Sequence, residues 1–153
     1  MIREVADKDV PRAIDLVNRV FTEFVAVDYS KQGRNTFETY LKTKLDDVSA
    51  ALKSGGKKMW AYYQDDDILG VLAIQGPSHI SLMFVEKAHH RQGIAKGLFD
   101  VALGEMAQNR DVTQITVNSS PYAVEAYERL GFAQTAEQQE KDGILYVPMR
   151  RTI

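Results

Sequence analysis

HISLMFVEKAHHRQGIAKGLF, residues 79–99, is the stretch on which the fold turns. Its first part, His79 to Glu86, is an apolar run rich in strand formers. Its second part, from Ile94 onward, has the amphipathic spacing of a helix. A short polar link, His89-His90-Arg91-Gln92-Gly93, turns one into the other. Gly93, with small Ala95 close behind it, lets backbone N–H groups gather at the helix's positive N-terminus, a geometry that suits a phosphate or pyrophosphate.

The elements on either side supply a sheet and its covering helices. Ile2 to Val5 reads as a short strand. Asp7 is placed to cap a helix, and Pro11 falls in its first turn, where a missing N–H does no harm. Val10, Ile14, Val17, Phe21 and Phe24 follow at helical spacing, and Asp28 to Arg34 reads as a loop. A second helix spans about Thr36 to Lys53, with Phe37, Tyr40, Leu41, Leu45, Val48 and Leu52 on one stripe and Ser54-Gly55-Gly56 as its stop. Lys58 to Tyr63 and Ile68 to Ile74 form a hairpin around an acidic turn at Asp65 to Asp67.

Gly76-Pro77 then breaks the chain before the opening stretch. The helix after Gly93 extends to about Gln108, and Ile115 to Val117 is a brief buried strand. Ser119-Ser120-Pro121 opens another helix, with a hydroxyl at the cap and proline at the first position, and Gly131 stops it. Phe132 begins a last antiparallel pair, turned at Lys141-Asp142-Gly143 and ending near Met149. The order β-α-α-β-β-β-α-β-α-β-β describes an α/β chain of α+β type, with one domain over residues 1–153 and helices packed on the faces of a mixed sheet.

Composition narrows the function. At 153 residues with 44% hydrophobic content, the chain can bury a sizeable core. A net charge of -2 offers no polybasic footprint, so nucleic acid is not an expected partner. The absence of cysteine excludes disulfides, thiolate zinc sites and a cysteine nucleophile together. No apolar run is long enough to span a bilayer, and Met1-Ile2-Arg3-Glu4 lacks the apolar core of a signal peptide, so a cytoplasmic protein without membrane partners is expected. His89 and His90, being adjacent, cannot both point one way, and no ligand spacing supports a metal.

His90-Arg91-Gln92-Gly93-Ile94-Ala95, opening a helix after the fourth strand, resembles the coenzyme A loop of the GNAT superfamily of acyl-CoA-dependent N-acetyltransferases. The family pattern is Arg or Gln, two residues, Gly, one residue, then Gly or Ala; His90 at the first position departs from it. Lys87 and Ala88 stand where many members carry Pro and an acidic residue. A lone glycine loop is weak evidence. A second block, Asn118-Ser119-Ser120-Pro121-Tyr122-Ala123-Val124-Glu125-Ala126-Tyr127-Glu128-Arg129-Leu130-Gly131-Phe132, is similar to the family's fifth strand and following helix, and raises the specificity. The resemblance implies a mostly antiparallel central sheet, splayed between strands four and five and flanked by about four helices.

It also implies roles. Acetyl-CoA is the expected donor, with backbone N–H groups from Arg91 through Lys96, Gln92 and Gly93 among them, cradling its pyrophosphate. Met83, Phe84 and Val85 match the segment along which the pantetheine arm lies, and the Val85 N–H is the natural oxyanion donor. Tyr127 matches the family's general acid, and Asn118 is placed to hydrogen-bond the pantetheine arm or a nearby backbone group. His79 opens strand four about where some members place a carboxylate base, and an imidazole suits that work near neutral pH. Glu86 is a weaker candidate for the same role.

The acceptor is expected to be an amine-bearing small molecule, peptide or protein. Glu23, Asp28 and Tyr29 lie in the link between the first two helices, and Glu137 and Glu140 in the last hairpin, the two regions that usually line the acceptor site in the family. With no cysteine to carry the acyl group, direct attack in a ternary complex is favoured over a cysteine acyl-enzyme. The rival reading is a non-catalytic CoA-binding sensor or scaffold with the same fold, and a third is a nucleotide-binding α/β domain. Many family members form dimers, so a homodimer is an open expectation.

Overall fold

Seven consecutive buried residues, Ile68 to Ile74, run through the middle of the sheet. A strand covered on both faces must be apolar on both, which is why this run does not alternate. The computed structural model describes residues 1–25, 29–54 and 56–153, with side chains at 24–25, 41–49, 51–53 and 57 outside the description. Expectations for Asp28, for Gly55, and for the side chains of Phe24, Leu41, Leu45, Val48 and Leu52 therefore lie outside the described residues.

The strands are β1 (Ile2–Glu4), β2 (Lys57–Gln64), β3 (Asp67–Gln75), β4 (His79–Val85), β5 (Gln114–Ser119), β6 (Ala133–Gln134), β7 (Gln139–Lys141) and β8 (Ile144–Thr152). The helices are α1 (Val10–Val20), α2 (Lys31–Ser54), α3 (Ile94–Ala107) and α4 (Val124–Arg129). Sheet order is β1-β2-β3-β4-β5-β8-β6, with β7 on β8, and every pairing is antiparallel except β4 with β5. This is the mixed, mostly antiparallel sheet with four helices that the resemblance implied.

Two features of β4 shape everything near it. Its register on β3 slips between Ala73↔Leu82 and Ile74↔Ile80, so Ser81 is a bulge. The bulge flips the alternation: Ile80 packs into the cluster under α3 (Leu98, Phe99, Ala102, Met106), while Leu82 packs into the cluster under α1 (Val10, Ala13, Ile14, Val17). Toward β5, the strand pairs only at His79↔Thr116 and Ile80↔Val117. Beyond those two steps the strands part.

Glycines let two close approaches occur. A Cβ on Gly70 would lie 2.9 Å from Ile94 Cγ2 and 3.1 Å from Leu98 Cδ1, so its absence seats the first turn of α3 against β3. A Cβ on Gly33 would overlap the Gly143 carbonyl, so the first turn of α2 meets the β7–β8 turn backbone to backbone.

That second contact corrects the sequence reading. Asp28 to Arg34 is not all loop, because α2 begins at Lys31 rather than Thr36, with the Ser30 hydroxyl accepting from the Gly33 N–H at 3.1 Å. Gly33 looked like a loop glycine and is instead a packing glycine inside a helix. Asp7 does not cap α1 either. The residue at the cap position is Asp9, and its carboxylate accepts from the Tyr63 hydroxyl at 3.0 Å and from Arg12 at 3.2 Å instead of from the helix. The final pair is three strands, since β8 is long enough to serve β5, β6 and β7. Ser120 and Pro121 do open the segment leading into α4, the Ser120 hydroxyl accepting from the Ala123 N–H at 3.3 Å.

Two glycine-to-alanine changes should move stability in opposite directions. At Gly143, φ is +81° and a Cβ would fall 2.7 Å from Ser30 Oγ and 2.8 Å from Gly33 Cα, so Gly143→Ala is expected to cost about 1–3 kcal/mol. At Gly104, inside α3 with nothing within 4 Å of a Cβ, Gly104→Ala is expected to add about 0.5–1 kcal/mol. Urea unfolding midpoints measure both, and equal midpoints for the two variants would contradict the packing described.

Candidate active site

The parting of β4 from β5 opens a cleft of about 980 Å³. One end is formed by the link into α3, and the other lies under α2 and the β7–β8 turn.

The backbone of β4 aims its polar groups into this cleft by simple alternation. Glu86 N–H donates to Leu69 C=O at 2.8 Å, which makes Gly70↔Val85 a pair whose own N–H and C=O groups point away from one another. Val85, and Met83 two residues earlier, therefore present their backbone groups toward the gap, while Phe84 bonds to β3. The Val85 carbonyl accepts from His90 Nε2 at 2.7 Å. Its N–H faces the cleft.

At the α3 end, Arg91 (φ +63°) and Gly93 (φ +81°) both take the left-handed conformation, curling the backbone into a concave turn. Gly97 N–H is the first of α3 to bond inside the helix, onto Gly93 C=O at 2.9 Å, so the N–H groups of Ile94, Ala95 and Lys96 precede the ladder. No side chain caps Gly93, and these donors face the same end of the cleft. His90, Arg91, Ile94, Ala95 and Lys96 all line it. Lys96 Nζ also pairs with Asp100 at 2.8 Å, and Gln92, which does not line the cleft, accepts from His89 Nδ1 at 3.1 Å.

His79 is half-buried at the mouth of the splay, with Nδ1 2.8 Å from Thr116 Oγ1. When Nδ1–H donates to that hydroxyl, Nε2 keeps its lone pair and can accept a proton. Burial pushes the imidazole below its ordinary 6.5, which keeps it neutral at neutral pH. His79 lies opposite Ile80 in the pleat, on the face shared with Leu82 and Phe84. Glu86 is placed elsewhere: it pairs with Arg19 at 3.3 Å and borders a separate surface groove.

Asn118 lines the cleft from β5. Tyr127 does not form part of the lining. Its ring is buried edge-to-face on Phe132 at 5.5 Å, while Ala123 and Ala126 do line the cleft. Burial raises its hydroxyl pKa.

Of the expected acceptor residues, Tyr29 lines the cleft and donates to Leu145 C=O at 3.0 Å. Glu23 does not; it is exposed and pairs with Lys87 at 3.4 Å. Glu137 and Glu140 are exposed and outside the lining, and Asp28 is outside the described residues. What sequence reasoning missed is an aromatic wall of Phe21, Phe37, Tyr40 and Phe84 at this end. Phe37 and Tyr40 looked like an ordinary core stripe, and only their position just after a polar link hinted at more. Thr116 was also missed, although a lone polar residue between buried Ile115 and Val117 could have flagged it.

Among the described residues, no group of His, Asp and Glu is placed to hold a metal ion, and no helix is long and apolar enough to cross a membrane. The chain belongs to the GNAT acetyltransferase family: residues 25–153 match the sequence profile of the acetyltransferase (GNAT) domain. No functionally curated protein matches the sequence. Its fold is similar to that of a GCN5-related N-acetyltransferase from Rhodopseudomonas palustris, at TM-score 0.79 and 19% identity over 100% of this chain and 95% of that one. It is similar to the PaiA N-acetyltransferase from Thermoplasma acidophilum in complex with coenzyme A, at TM-score 0.80 and 13% identity over 100% and 98%. The ribosomal-protein-alanine N-acetyltransferase from Brucella melitensis aligns at TM-score 0.71 and 16% identity over 100% and 99%.

The surroundings of His79 predict a proton-linked stability. Its folded pKa lies below the unfolded 6.5, so between those values the unfolded chain binds more protons. Stability from this group is present above 6.5 and is lost as pH falls through the folded pKa. Wild type should therefore lose more stability than His79→Gln between about pH 7.5 and about pH 5, read from urea midpoints. Parallel losses would show that burial of the imidazole carries no penalty.

Proposed function

We propose that the chain transfers an acetyl group from acetyl-CoA to a primary amine, by direct attack while both substrates are bound. The observation that carries this reading is the Val85 N–H, aimed into the cleft between the concave α3 turn and His79. A thioester carbonyl beside it gains a donor for the charge that develops on oxygen as the amine adds. The N–H groups of Ile94, Ala95 and Lys96 suit the pyrophosphate at one end of the donor, with Arg91 adding positive charge. The gap beside Met83 and Val85 suits the amide-bearing pantetheine arm, which can bond to a strand edge as another strand would. Asn118 faces the same gap from β5.

Two residues are proposed to handle the protons. An amine attacks only as its free base, and His79, neutral and held through Thr116, is the proposed proton acceptor by way of waters along the cleft, since it stands six residues from Val85 on an extended strand, about 20 Å away. As the carbon–sulfur bond breaks, the sulfur needs a proton, and Tyr127 is the proposed donor. Its burial keeps the hydroxyl protonated, and Ala123 and Ala126, its near neighbours in the chain, line the cleft. The absence of cysteine supports direct transfer.

Thiol release from acetyl-CoA with a panel of primary amines tests the activity; tight CoA binding without release by any amine would favour a sensor or scaffold instead. Tyr127→Phe is expected to lower kcat by roughly 10²-fold with little change in the KM for acetyl-CoA. An unchanged kcat removes Tyr127 as the acid. Gly93→Val, forcing a β-branched residue into a left-handed conformation, should weaken CoA binding roughly tenfold or more in calorimetry.

A further inference from the structure

The end of the cleft opposite the α3 turn is apolar, aromatic and roofed. Phe84 begins it, one residue before the proposed oxyanion donor, and projects to the α1 and α2 side of the sheet. Phe37 lies beyond it at 6.5 Å between ring centroids and stacks on Phe21 at 3.8 Å. Tyr29 closes the base, edge-on to Phe21 at 5.2 Å. Phe21 and Tyr29 are buried beneath, whereas Phe37 and Phe84 stay only partly covered, and all four line the cleft. Apolar rings left open within a cleft gain by covering with apolar surface.

The roof is an independent observation. The first turn of α2 and the β7–β8 turn meet without side chains between them, at Gly33 and Gly143. A further tie holds them, with Thr36 Oγ1 donating to Asp142 C=O at 2.8 Å, and below it Tyr29 OH, just ahead of α2, donates to Leu145 C=O in β8 at 3.0 Å. Thr36 and Asp142, beside this join, line the aromatic end, so the joined elements bound it on that side. A lysine on a folded protein surface brings neighbouring chain with it and would meet this bridge. A short amine passes beneath.

We infer that the acceptor is a small primary amine carrying an aryl or short alkyl group, held by the Phe37–Phe84 wall under the Gly33–Gly143 bridge. This rests on the acetyl-transfer reading and narrows it. The apolar group fills the aromatic end, which directs the amine back toward Val85 and the His79 side of the sheet. The ammonium form of an incoming amine is also attracted to ring faces on the way in.

Steady-state thiol release with acetyl-CoA tests the inference against five acceptors: 2-phenylethylamine, hexylamine, spermidine, kanamycin and a lysine-containing peptide of about ten residues. The first two are expected to exceed the other three in kcat/KM by about tenfold or more. Phe37→Leu, which keeps apolar volume but loses the ring, is expected to raise the KM for 2-phenylethylamine several-fold relative to that for hexylamine. Equal or higher kcat/KM for spermidine, kanamycin or the peptide overturns the inference and leaves acetyl transfer standing. Thiol release from none of the five, with CoA bound, overturns acetyl transfer and the inference with it. The wild-type comparison needs no variant, so it holds even if Phe37→Leu fails to fold.

Discussion

β4 is bonded to β3 along its length and to β5 for only two steps, and the working half of the molecule depends on that imbalance. A strand in mid-sheet normally spends its N–H and C=O groups on both neighbours, and buried groups left unpaired are costly. Here the Ser81 bulge redirects the strand, and the backbone groups of Met83 and Val85 end on the side of the gap. The His90 ring takes the Val85 carbonyl, which leaves the N–H as the polar group presented to the cleft. A departure from the family's usual residue at position 90 thus carries a definite contact: it ties the turn before α3 to the end of the strand.

The supports for this arrangement are largely glycines acting by what they lack. Gly70 lets α3 settle on β3, which fixes where its first-turn N–H groups lie relative to Val85. Gly33 and Gly143 let α2 and the β7–β8 turn touch, which sets the far limit of the cleft. Between them the two core clusters, one under α1 and one under α3, clamp β3 and β4 from both faces. The cleft is therefore a gap between separately packed elements, and its two ends are positioned by different helices.

Local patterns were legible wherever one element's own chemistry decided the outcome. The strand-to-helix switch at residues 79–99, the Ser120-Pro121 start, the Asp142-Gly143 turn and the all-apolar β3 each follow from periodicity or turn preference over a few residues. The turn that opens α3 was legible for the same reason, because the placement of its backbone donors depends on a short stretch around Gly93. The start of α2 was misread because Gly33 owes its presence to residue 143, more than a hundred positions away. The aromatic wall was misread because Phe37 and Phe84 have the same spacing whether they face a core or a cleft.

By itself the sequence determined the family, the order of elements as far as the last helix and the turn that opens α3, since these rest on contiguous residues and on spacing within single elements. Tertiary structure alone decided that His79 meets Thr116, that Tyr127 is buried outside the cleft lining, and that Glu23 is turned outward to Lys87. It alone brought Gly33 to Gly143 and made a roofed aromatic pocket from three separate segments. The physical reason is the same in each case. A side chain's face is written locally, but its neighbour across the sheet is chosen by packing, and that choice draws on the whole chain at once.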